Sequence, residues 1–177
     1  MKNDIVEKIN HTQFLGTEFL TWLWYQEEKN QGKFQLEDGT EIELWFEDKL
    51  SLASVAADSQ EDIFKGGRPT SSVEARAALK LGKTVKNAKI SVIEGDVTWV
   101  FQVKAEPLMM TGIKLPATSS SELEIAFFER MESLERLSQM YEQLLSRFLK
   151  LRLTDAWQDE ILAIQEWVKS GIQVPQV

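Results

Sequence analysis

The sequence predicts an α+β fold in which hairpins build an antiparallel sheet. Three observations carry this. Apolar and polar residues alternate in short runs separated by Asp-Gly and Glu-Gly-Asp turns. Apolar rows of helical period lie before, between and after those runs. No strand–helix–strand alternation appears, so the sheet is not parallel. The expected order is a helix, strands, one mid-chain helix, strands and two C-terminal helices, the first of them long.

Residues 14–29 read as the first helix. Phe14, Phe19, Trp22 and Leu23 lie near helical spacing, and Leu15, Leu20 and Trp24 broaden the face, so the helix is expected to be mostly buried. Asn30 and Gly32 suit its stop. Gly16 should cost about 1 kcal/mol against Ala. Lys33–Leu36 and Thr40–Glu47 flank Asp38-Gly39, a type I′ hairpin signal. Ile42, Leu44 and Phe46 alternate with Glu41, Glu43 and Trp45. Leu50–Ala56 and Asp62–Lys65 read as further strands, joined by a turn at 58–60. Ser71 with Glu74 three residues on forms a capping box for a helix over about 72–81, which Gly82 ends.

Thr84–Ile93 and Val97–Lys104 form a second hairpin around Glu94-Gly95-Asp96, with Val97, Trp99, Phe101 and Val103 toward the core. Leu108–Leu115 is a last strand, ended by Pro116. Ala117–Ser120 is a linker. Ser121 with Glu124 opens a helix reaching about Leu153, roughly 45 Å long at 1.5 Å per residue. Phe127, Leu134, Tyr141 and Phe148 recur along it every seven residues, with Leu123, Leu137, Leu144 and Leu151 as a companion row broken by Arg130. Residues 155–170 form the last helix, carrying Trp157, Ile161, Ile164 and Trp167. The chain is expected to be a single domain over 1–177, with an α+β core at 14–116 and a helical part at 121–171. The tail at 172–177 reads as loose.

Composition excludes several function classes. The 177 residues contain no cysteine, which removes disulfides, Cys-ligated zinc, iron–sulfur clusters and thiol nucleophiles. One histidine, His11, stands in a polar stretch and reads as a surface residue; it leaves no His-rich metal site. Hydrophobic residues make up 43%, ordinary for a folded protein. No signal-peptide run and no apolar stretch of membrane-spanning length is visible, so a cytoplasmic location with no membrane partner is expected. Gly82-Lys83-Thr84 matches only the end of a P-loop, because Ala77 stands where the first glycine belongs. The acidic runs read as solvated faces. No catalytic, cofactor or metal constellation emerges, so the protein is expected to be non-enzymatic, with no cofactor and no metal.

Charge is distributed unevenly. The whole chain carries −8, yet residues 65–89 hold Lys65, Arg68, Arg76, Lys80, Lys83, Lys86 and Lys89 against one acid, Glu74. Arg76, Lys80 and Lys83 are spaced to share a helical face, and Gly66-Gly67-Arg68 offers backbone donors at the helix start. These seven residues are the expected DNA-binding set, contacting phosphates of double-stranded DNA without reading bases. Another anion, or a solvated cationic face, would give the same pattern. Trp22, Trp24 and Tyr25 fit core packing better than base stacking, and so do Trp45 and Trp99. Phe127, Leu134, Tyr141 and Phe148 fit either internal packing or a homodimer seam.

The block Phe14-Leu15-Gly16-Thr17-Glu18-Phe19-Leu20-Thr21-Trp22-Leu23-Trp24-Tyr25 resembles one in recombination-associated RdgC-like bacterial proteins. Gly66-Gly67-Arg68-Pro69-Thr70 leading to Glu74–Leu79, and Phe148–Leu153 before Ala156-Trp157, extend the likeness to about a quarter of the chain. The resemblance implies a non-enzymatic DNA-binding protein associated with recombination. The better-known members form a ring-like dimer with a basic interior and restrain recombinase filaments. The rival expectation is a cytoplasmic protein–protein adaptor that uses the long helix and no nucleic acid.

Overall fold

The computed structural model describes residues 15–54 and 61–170. Phe14, His11, the turn at 58–60 and the C-terminal tail lie outside the described residues. Helix α1 spans Leu15–Lys29, and its side chains from Phe19 to Glu27 are nearly all buried, as its apolar composition requires. It lies between the sheet and the two C-terminal helices. Gly16 is not a tolerated imperfection: a Cβ there would sit 1.9 Å from the Ala105 carbonyl oxygen.

The sheet is antiparallel and six-stranded, built from β1 (Lys33–Gln35), β2 (Glu41–Ala53), β3 (Asp62–Lys65), β4 (Thr84–Glu94), β5 (Val97–Lys104) and β6 (Met109–Lys114). The order is β1-β2-β4-β5-β6, with β3 also pairing with β2. β1 and β3 therefore occupy successive halves of one edge of β2, and β4 the other edge. The first hairpin differs from expectation. Leu36 pairs with Thr40, and the Gly39 N–H donates to the Leu36 carbonyl, so Glu37-Asp38-Gly39 form a three-residue loop. Gly39 takes a left-handed φ of +83°, the position that loop type reserves for glycine. β2 is also one strand rather than two. Between Phe46 and Leu50 it advances four residues while β4 advances two, from Ile90 to Ala88. The polar run Glu47-Asp48-Lys49 is thus a bulge within a strand, not a break between strands.

Helix α2 covers Val73–Lys80, and its cap is Ser72, whose hydroxyl accepts from the Ala75 N–H at 3.2 Å. Ser71 is part of the short 3-10 turn at Pro69–Ser71 instead. Helix α3 runs Leu123–Arg152 and α4 Ala156–Ser170. α3 starts one turn-position later than the Ser121 capping box predicts. Its N-cap is Glu122 without a side-chain bond, and Ser120 Oγ accepts from the Glu122 N–H.

One face of the sheet presents Ile42, Leu44, Phe46, Ile90, Val92, Trp99, Phe101 and Val103 to the helices. Phe19, Trp22, Leu137, Met140, Leu144 and Phe148 close over it, and Trp157 of α4 joins edge-on to Phe148. The α+β part and the helical part thus share one hydrophobic cluster. Trp22 is in that core and donates its indole N–H to Glu160, so base stacking is not its role. Trp99, also buried, donates to Ser133 of α3.

Candidate functional site

The cations of residues 65–89 do not form one surface. Arg76 is 3% exposed. Its guanidinium bonds both oxygens of Glu28 at 2.6 and 2.5 Å and donates to the Trp167 carbonyl at 3.0 Å. It also lies 3.8 Å from the Trp167 ring centre. Arg76 therefore joins α1, α2 and α4 and is withdrawn from any phosphate contact. The shared face expected for Arg76, Lys80 and Lys83 does not exist: Arg76 points inward, Lys80 outward, and Lys83 lies beyond the end of α2. Lys83 pairs with Asp62 at 2.5 Å, Lys86 with Glu106 at 3.2 Å and Lys89 with Asp48 at 2.7 Å. Arg68 stacks over the Trp45 ring at 4.1 Å, and that ring also lies against Gly32. Lys65 and Lys80 are exposed.

Two other surfaces emerge. The first is a cavity of about 260 Å³ on the open face of the sheet. Lys65 and Lys89 line it together with Lys49 and Lys114, beside Asp48, Gln102 and Gly112. Lys49 and Lys65 are direct cross-strand partners of β2 and β3. The carboxyl of Asp48 is held below the usual range, chiefly by its hydrogen bond from Lys89 and further by the charges of Lys89 and Lys114. Sequence reasoning missed Lys49 and Lys114, because only sheet register brings them beside Lys65 and Lys89.

The second is the first half of α3. Leu123, Ile125, Phe127, Phe128, Met131 and Leu134 are all exposed, Leu123 at 89% and Phe127 at 59%. Further along, Phe148 is fully buried, and Tyr141 lies edge-on to Phe19 and Phe101 within the core. The expected stripe therefore divides: Phe127 and Leu134 are exposed, whereas Phe148 is buried and Tyr141 half-buried against the core. Leu123 and Tyr141 are five whole turns apart and share one helical face, so the division follows position along the helix: its buried residues, Leu137, Met140, Leu144 and Phe148, all lie in the second half. Leu123 belongs to the companion row read from the sequence and Met131 widens that stripe, whereas Ile125 and Phe128 lie off both rows and sequence reasoning missed them.

No helix of the described residues is long and apolar enough to cross a membrane. Among those residues no group of three or more acids or histidines is placed to hold a metal ion. No protein-family model and no curated protein matches the chain.

Proposed function

We propose that the protein is a non-enzymatic adaptor that assembles through the first half of α3, with a second copy of the chain as its partner. The observation that carries this is the apolar surface of residues 123–134, which nothing among the described residues covers. Phe127, Met131 and Leu134 follow the i, i+4, i+7 anchor spacing by which a helix enters a groove or pairs with another helix. Met131 projects from the side opposite the buried Met140, two and a half turns on, so this half-helix can dock without disturbing the core. Self-pairing allows an opposite-charge contact in a segment, 122–135, that carries five glutamates against Arg130. In an antiparallel pair centred on Met131, Arg130 of one copy lies level with Glu132 of the other, and Phe128 with Leu134. A soluble monomer rarely leaves so contiguous an apolar patch bare.

The DNA-binding reading has less support, since Arg76 is internal and three of the seven cations are matched by acids. The test is light scattering of the full chain at tens of micromolar. The wild type is expected to be a dimer and the double substitution Phe127→Glu with Met131→Glu a folded monomer. A monomeric wild type would refute the proposal.

A further inference from the structure

We propose that the sheet cavity lined by Lys49, Lys65, Lys89 and Lys114 binds the phosphate group of a small phosphorylated ligand. Four lysines line about 260 Å³, and the one acid among the described residues that lines it, Asp48, already accepts from Lys89. Lys49 and Lys65 face each other directly across β2 and β3. Like charges in that position weaken a sheet. Neither has an acid partner within salt-bridge distance among the described residues, so the fold gains nothing from the pair. A dianion between them removes the repulsion and satisfies several donors at once.

The backbone builds the place. Two bulges flank the cavity: Glu47-Asp48-Lys49 in β2, and Gly112 in β6, where φ is +59° and β6 advances three residues, from Thr111 to Lys114, against two in β5. Bulges of this kind redirect side chains at sites. Gln102 on the cavity wall offers a neutral donor. Compact ligands fit better than a long polyanion. Beyond the cavity Lys83 is matched by Asp62 and Lys86 by Glu106, so these two offer successive phosphates of a nucleic acid no free charge.

The experiment uses the full chain, with sodium pyrophosphate as probe, and sodium chloride at equal ionic strength as control. Calorimetric titration and thermal melts are the readouts. Wild type is expected to bind saturably and melt higher in pyrophosphate than in chloride. Lys49→Gln with Lys65→Gln is expected to melt no lower than wild type without ligand, because the repulsion is gone. It should bind pyrophosphate about tenfold more weakly or worse. Lys114→Gln should lose affinity in the same direction, and Lys80→Gln, outside the cavity, should not. An equal melting shift in chloride would overturn the proposal, as would undiminished binding by both cavity variants. A duplex or single-stranded oligonucleotide that binds more tightly than pyrophosphate, with steep salt dependence, would also overturn it, because the cavity would then be part of a nucleic-acid surface.

Discussion

Gly16 shows how a single residue can reverse its expected meaning. Helix propensity ranks alanine above glycine by about 1 kcal/mol, so Gly16→Ala should stabilise an isolated helix. In the fold, the new Cβ would fall 1.9 Å from the Ala105 carbonyl oxygen, and two further Ala105 backbone atoms lie within 3 Å. Neither side can yield cheaply, because the obstacle is backbone and α1 is packed on all sides. Gly16→Ala is therefore expected to destabilise by about 1–3 kcal/mol, the usual cost of overpacking. Urea unfolding checks the sign: a gain in stability would mean that α1 and the β5–β6 turn are not in contact. Gly32 makes a related contact with the Trp45 ring, over which Arg68 also lies. Trp45 is thus held on the outer face of the sheet by a glycine and a cation, not in the core where its residue type places it.

At the scale of elements, the central arginine of α2 is the clearest case. Glu28 accepts from Arg76, from the Trp24 indole at 2.9 Å and from the Trp167 indole at 2.8 Å. One carboxylate and one guanidinium thereby fix three helices. Arg76 is buried while Glu28 is part-exposed and keeps its two indole donors, so Arg76→Ala, which removes these bonds and leaves a void, is expected to cost about 2–3 kcal/mol in urea unfolding. A surface phosphate contact would cost well under about 1 kcal/mol, so a small loss would return Arg76 to the DNA-binding set. The sequence makes the elements legible because period and turn residues are local properties. Alternation in β4 and β5, the apolar saturation of α1 and the length of α3 can all be read by counting. What cannot be read locally is partnership. The polar run at 47–49 looks like a turn until β4 is seen to continue beside it. The basic segment looks like a patch until Asp48, Asp62 and Glu106 arrive from other strands and turns. Lys49 and Lys114 become neighbours of Lys65 only through register.

For the molecule as a whole, one buried acid should shape the dependence of stability on pH. Glu27 is 3% exposed, and its Oε2 has no hydrogen-bond partner among the described residues. Burial pushes its carboxyl up to about 8, the charge of Glu28 adds to this, and Arg68 and Arg76 oppose it. Between its ordinary value of 4.5 and about 8, the folded protein keeps this proton while the unfolded chain releases it. The unfolded state then binds fewer protons, so stability falls as pH rises through that window and levels off above it. Asp38, Asp48, Glu74 and Glu129 act oppositely. Their carboxyls are held low, Asp38 chiefly by the Thr40 backbone N–H, so their contribution is lost only in acid, below the Glu27 window. Glu27→Gln removes the titration while keeping the shape. The variant should match wild type near the ordinary carboxylate range and exceed it under mildly alkaline conditions, by on the order of 4 kcal/mol at about 1.36 kcal/mol per pH unit of that window. Urea unfolding of both proteins across this range decides it, and taking the difference cancels every group they share. If the two curves stay parallel from acid to alkali, Glu27 ionises in the fold as freely as in water, and its place in the core is wrong.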